Sequence, residues 1–200
     1  MARSEYEPAG IAAIACSIGT VAALVLTLAL DITSPGRIIH VWQPSQVLLK
    51  MAIDIVTVPL GIYAALRLRR LLNERYRFHG LDGVIWAAIC AELACTVSRN
   101  VYRMLAMLRS PVAPVAIAVS VALALAWAAI GIVFALRLLR LEGDLLGYKK
   151  PLAYICLAKS VAYVLVLTAI FGVVLEPVYY FVLGLAFFAT REQPQELDIV

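Results

Sequence analysis

The stretch "ICAELACTVSRNVYRML", Ile89–Leu105, decides the fold. Wound as a helix, it carries Glu92, Arg99 and Arg103 inside a run that is otherwise apolar enough to dissolve in lipid. Successive helical residues turn by about 100°, so Glu92, Thr96, Arg99 and Arg103 fall on one narrow stripe. Charged groups at such positions face a bundle interior or a wet cavity, and they pair. The stretch is therefore one spanning helix with an inward polar stripe, not a polar break between two spans.

Composition agrees. The chain has 200 residues, 64% of them hydrophobic and 15% charged, with a mean hydropathy of +0.93. A soluble domain averages about half apolar and about a quarter charged. The apolar residues come in long blocks, which places the chain among all-α integral membrane proteins, as a single transmembrane helical domain over residues 1–200. The sequence pI near 9.0 does not point to nucleic acid, because the basic residues sit in the short connections between blocks. Cys16, Cys90, Cys95 and Cys156 all fall within apolar blocks and read as buried thiols, and the Cys90–Cys95 spacing is not a C-x-x-C redox motif. The opening "MARSEYEPAG" is mixed in charge, unlike a signal-peptide n-region, so Ile11–Leu30 is expected to be a retained first span.

Six spans are expected, over about residues 9–30, 47–66, 81–108, 112–136, 152–171 and 177–189, with five or seven as alternatives. Turn signals separate them: Pro35–Gly36, the arginine-rich run after Leu66, "RSPVAP", and "RLLRLEGDLLGYKK". The last apolar block is too long for one crossing, and the expected break is "GVVLEP", where Gly172 loosens the helix and Pro177 opens the next. Arg67, Arg69, Arg70, Arg75 and Arg77 follow span two, and Arg137, Arg140, Lys149 and Lys150 follow span four. The positive-inside rule turns both connections, and with them both termini, to the cytoplasm. "GIYAALRLRRL" from Gly61 and "GIVFALRLLRL" from Gly131 echo each other, so spans two and three are candidates for a parallel repeat of spans four and five.

Three spans carry charge. Lys50, Asp54 and Thr57 share one face of span two, with Gly61 nearby, and Lys159 and Tyr163 are neighbours on span five. At about 1.5 Å per residue, Glu92 lies about 16 Å and Lys159 about 12 Å from the cytoplasmic ends of their spans. Similar depth predicts a Glu92–Lys159 pair, and an Asp54–Arg99 pair nearer the other face, with Lys50 and Arg103 close to the interface. Arg103 has the option of snorkelling. Asp54, Glu92, Arg99, Lys159 and Tyr163 are the candidate substrate-binding residues. Glu176, expected in the turn before span six, reads either as an N-terminal helix acid or as a group at a site entrance.

No cofactor or metal is expected. The two histidines, His40 and His79, lie in connections predicted on opposite faces, which argues against a bis-histidine haem site. There is no P-loop, dinucleotide fingerprint or G-x-S-x-G. If the chain is an enzyme, Asp54, Glu92 and Glu176 are the carboxyls available as general acid.

Two segments resemble the fungal lipid-translocating exporter family. "LEPVYYFVLGLAFFATREQP", from Leu175, is similar to that family's last span, an acid followed by a tyrosine, an apolar run and a proline-bearing exit. "SRNVYRML" is similar to its motif of two arginines flanking an aromatic residue. The resemblance picks out Arg99, Tyr102, Arg103, Glu176 and Tyr179 or Tyr180, and implies handling of amphipathic, lipid-like molecules. The family usually has seven spans; here Ala106 and Glu192 stand where it carries a glutamate and a histidine. The chain also resembles the small fungal membrane-bound terpenoid cyclases, which use intramembrane carboxylates too.

The leading expectation is thus a transporter or exporter for an amphipathic or apolar small molecule, in contact with membrane lipids and, if the source is eukaryotic, in a plasma or endoplasmic reticulum membrane. An intramembrane cyclase or isomerase and a structural subunit of a membrane complex are the alternatives.

Overall fold

A computed structural model describes residues 6–33, 44–165 and 169–190. His40, the Pro35–Gly36 turn and the tail with Glu192 lie outside the described residues. Among the described residues six α-helices follow one another: α1 Glu7–Thr33, α2 Pro44–Tyr76, α3 Asp82–Met107, α4 Ala113–Leu139, α5 Lys149–Val164 and α6 Ala169–Ala189, with a 3₁₀ turn at Leu145–Gly147. Five of them are long and apolar enough to cross a membrane. The chain is an all-α, multi-pass integral membrane protein.

The helices close into a ring. Each packs against its chain neighbours, and the most extensive contact joins α6 back to α1. Neighbours run antiparallel, as short connections require. Tyr6 at the start of α1 donates to Glu74 near the end of α2 (3.0 Å) and stacks on Phe187 near the end of α6. Arg69 of α2 pairs with Asp82 at the start of α3 (2.7 Å), and Arg137 of α4 donates to the Gly80 carbonyl (2.9 Å). One end of the ring thus gathers the basic connections, and an apolar core of Leu71, Leu72, Leu81, Leu138, Leu145 and Phe187 fills it. The α2–α3 contact is the least extensive between consecutive helices, and there the polar residues of both helices meet.

Helix ends follow local chemistry. α2 outruns its apolar block by a turn of arginines and stops where Arg77 enters the left-handed region (φ 48), letting the Phe78 N–H reach the Leu72 carbonyl (3.1 Å). Pro114 sits in the first turn of α4, where its missing N–H removes nothing. α5 has only 16 residues, about 24 Å at 1.5 Å each, short of a hydrocarbon core of about 30 Å. Its first turn carries Lys149 and Lys150, whose long stems let charge reach the interface; Lys149 Nζ also donates to the Leu141 carbonyl (3.0 Å).

Two expectations change. The break in the last apolar block falls between Val164 and Ala169, not at "GVVLEP". Gly172 and Pro177 both lie inside α6. Gly172 is a packing glycine: a Cβ there would stand 3.0 Å from the Tyr163 ring and 3.1 Å from the Lys159 carbonyl. Pro177 lies inside the bundle, where α1 packs against it and Ser17 donates to its carbonyl (2.8 Å). Glu176 is consequently a mid-helix acid, not a turn residue. Of the four cysteines, Cys16, Cys95 and Cys156 are buried as expected, but Cys90 is exposed on the outer face.

A charged cavity inside the ring

A cavity of about 100 Å³ lies among α2 to α6. A single water needs about 10–15 Å³ of such space, so it has room for several waters or for the head of a small amphiphile. Each wall is one helical face. α3 presents Ile85, Ala88, Ile89 and Glu92, α4 presents Trp127 and Gly131, and α5 presents Cys156, Lys159 and Ser160, all at the i, i+3, i+4 spacing that keeps residues on one side. Tyr179 and Tyr180 come from α6, and Gly61, Ile62 and Ala65 from α2. The two glycines of the sequence echo, Gly61 and Gly131, both line this space.

Lys159 is the central feature. It is 4% exposed, and counting 10 residues from the start of α5 places it about 15 Å into the bundle. Its Nζ lies 4.5 Å from the Trp127 ring centroid, 4.8 Å from that of Tyr179 and 5.9 Å from that of Tyr180. Each distance is within reach of a cation–π attraction, worth about 2 kcal/mol or more when desolvated. Among the described residues, no carboxylate oxygen comes within 4.0 Å of Nζ and no acceptor hydrogen-bonds to it. The aromatic box is itself braced. Trp127 meets Tyr163 edge-on at 5.5 Å, and the Tyr163 hydroxyl donates to Glu176 Oε2 (3.2 Å). Next to Lys159, Ser160 is fully buried and its Oγ has no oxygen or nitrogen hydrogen-bond partner among the described residues, with Cys156 Sγ a polar neighbour one turn away.

The other charges pair differently from the expectation. Glu92 does line the cavity with Lys159, but its Oε1 is held along its own helix, by Arg99 Nη2 (3.5 Å) and Thr96 Oγ1 (3.4 Å). Asp54 bonds Arg103, not Arg99: Arg103 Nη1 donates to Asp54 Oδ2 at 3.0 Å, and Lys50 Nζ stands 3.9 Å from Oδ1. Arg103 also donates to Asn100 Oδ1 (2.7 Å) and is only 12% exposed, so it is committed inward and does not snorkel. This second cluster lies toward the end away from the basic connections. Of the three candidate acids, only Glu92 reaches the cavity; Asp54 and Glu176 each have their own partners. Of the five candidate binding residues, Glu92 and Lys159 line it, Tyr163 braces its wall, Arg99 holds Glu92, and Asp54 lies apart. Trp127 and Ser160 are absent from the sequence-based candidates, since one tryptophan or one serine in an apolar block carries no signal by itself.

These features define the class: a multi-pass helical membrane protein whose ring encloses a charged, aromatic-walled cavity at mid-bundle. No family model, no curated protein and no solved structure matches the chain.

Proposed function

We propose that the chain is a membrane carrier that takes the polar head of a small amphipathic molecule into the central cavity. Lys159 carries this reading. A charge at the bilayer centre costs at least about 2.5–3.5 kcal/mol on insertion scales. Where such a group serves only to hold helices together, it closes on an opposite charge, as Asp54 does on Arg103. Lys159 closes on no carboxylate among the described residues and faces open space instead. Glu92, across the same space, gives the cavity a second pole.

The two ends of the ring fit a carrier. An apolar plug closes the basic end, and the Lys50–Asp54–Arg103 cluster bridges α2 and α3 toward the other. Opening one while the other stays shut would alternate access to the cavity. The likeness of "SRNVYRML" and "LEPVYYFVLGLAFFATREQP" to the lipid-translocating exporter family supports the same substrate class, and Tyr179 and Tyr180 of the second segment form part of the box around Lys159. The positive-inside rule puts the basic end in the cytoplasm. The enzyme reading rests on Glu92, the one candidate carboxyl among the described residues that lines the cavity.

The test is translocation in proteoliposomes. Anionic, zwitterionic and cationic fluorophore-labelled amphiphiles are incorporated, and dithionite reports how fast the inner-leaflet pool becomes accessible. A carrier accelerates that step for at least one head group. Folded protein that accelerates none of the three would overturn the proposal.

A further inference from the structure

Building on the carrier reading, we infer that the head group is a monoanionic carboxylate, seated on Lys159 Nζ and Ser160 Oγ. Two donors on one wall of the cavity lack oxygen acceptors among the described residues. The ammonium of Lys159 is surrounded by ring faces, which attract its charge but leave its N–H groups without oxygen partners. The Ser160 hydroxyl, on the adjacent residue, is fully buried and among the described residues has no oxygen partner, only the weak sulfur acceptor of Cys156 one turn away. A buried hydroxyl or ammonium left this way is costly. A cation beside a hydroxyl donor is the chemistry that receives an oxyanion.

The remaining charges narrow the choice. The other cations near the bundle interior are already engaged among the described residues, Arg99 by Glu92 and Thr96, and Arg103 and Lys50 by Asp54. Glu92 lines the same cavity and is held by Arg99; Glu176 stands behind Tyr163. Among the described residues, one cation without an oxygen partner faces Glu92, with Glu176 close to that carboxylate, which suits a single negative charge and penalises a second. That favours a carboxylate over a phosphate monoester, which brings close to a second negative charge beside Glu92. Ile62, Ala65, Ile89 and Phe134 provide apolar wall for the tail.

The test uses the full chain in detergent, with Trp42→Phe and Trp86→Phe introduced so that Trp127, 4.5 Å from Nζ, reports alone. Octanoate, octyl phosphate, octanol and octylammonium are titrated against its emission. Octanoate should give a saturable change at least about tenfold tighter than octanol, with octyl phosphate weaker than octanoate. Lys159→Met should reduce octanoate to the level of octanol, Lys159→Arg should retain a preference, and Ser160→Ala should weaken binding about fivefold, the loss of one hydrogen bond. Equal response to octanoate and octanol would mean that waters satisfy these donors, and would overturn the inference. So would tightest binding of octylammonium or octyl phosphate, or an octanoate preference that survives in Lys159→Met. The octanoate-to-octanol ratio of the unsubstituted site needs no cavity variant, so a misfolded Lys159→Met leaves the test intact. Octanoate binding with no translocation in vesicles would sink the carrier reading and keep this one. Translocation without octanoate preference would do the reverse.

Discussion

Replacing Asp54 by asparagine should destabilise the bundle by about 3–5 kcal/mol, the cost of breaking a buried ion pair from one side. Asp54 is an anion between two cations, 3.0 Å from Arg103 and 3.9 Å from Lys50, and all three side chains are at most 14% exposed. At an effective dielectric of about 20, unit charges at those distances attract by about 5.5 and about 4.3 kcal/mol before desolvation is counted. Asp54→Asn therefore removes both attractions and leaves two cations facing each other. Arg103→Met is expected to be milder. It deletes the charge-assisted hydrogen bond to Asp54, about 1.5–3 kcal/mol, and the bond to Asn100 on its own helix, but leaves Asp54 closed on Lys50.

The order of the two effects is the informative quantity. Unfolding in mixed dodecylmaltoside and dodecyl sulfate micelles, followed by far-ultraviolet circular dichroism, gives the free energy of each variant. Asp54→Asn should lose more than Arg103→Met, and the double variant should lose less than the sum, with a coupling of at least about 1 kcal/mol, as for residues in one network. If Arg103→Met costs as much as Asp54→Asn, or the double variant is additive, the three groups do not share their charge as argued.

Three further outcomes are expected. Gly131→Ala should cost about 1–3 kcal/mol by overpacking, because its Cβ would collide with Ser160 Oγ and stand 3.3 Å from Ser160 Cβ; Gly83→Ala, with nothing within 4 Å of the new Cβ, should stabilise by about 0.5–1 kcal/mol. Equal effects in the same unfolding assay would count against the close approach of α4 and α5. Tyr163→Phe keeps its ring against Trp127 but deletes the 3.2 Å bond to Glu176, and should lower stability by about 1–3 kcal/mol; an unchanged unfolding midpoint would show that bond to be idle. Protease-accessible tags on the two termini should be cleaved from the same face of sealed vesicles, since six antiparallel helices return the chain to its starting side. Cleavage from opposite faces would mean that α5, with its 16 residues, does not cross.

The helices were legible because their apolar blocks and proline breaks are dictated by the solvent: in lipid every backbone group must be satisfied within the helix. The polar face of α2 was legible too, and Asp54, Thr57 and Gly61 are all buried. The break before α6 was not. Pro177 and Gly172 carry the sequence marks of a helix end, yet their neighbours Ser17 and Tyr163 turn them into packing positions. Nothing in the local sequence distinguishes the two uses, because the deciding contacts come from α1 and α5.

The mispaired charges have a geometric cause. Depth counted from outer helix ends fails when neighbours differ in length, and α2 has 33 residues against 26 in α3, about 50 Å against about 39 Å. Counted instead from the tight turn that joins them, Asp54 lies 22 residues before Tyr76, and Arg103 lies 21 residues after Asp82, whereas Arg99 lies only 17 after it. The turn is pinned by the Arg69–Asp82 pair, so it is a shared origin that free ends are not. The same rule explains why Glu92 and Lys159 reach one cavity without touching. Each lies 10 residues into its helix from the basic end, which sets equal depth. Depth says nothing of azimuth, however, and α4 places Trp127 beside the ammonium. A buried cation in a ring of helices is thereby left to aromatic faces on the protein side, and to whatever oxygen the cavity admits on the other.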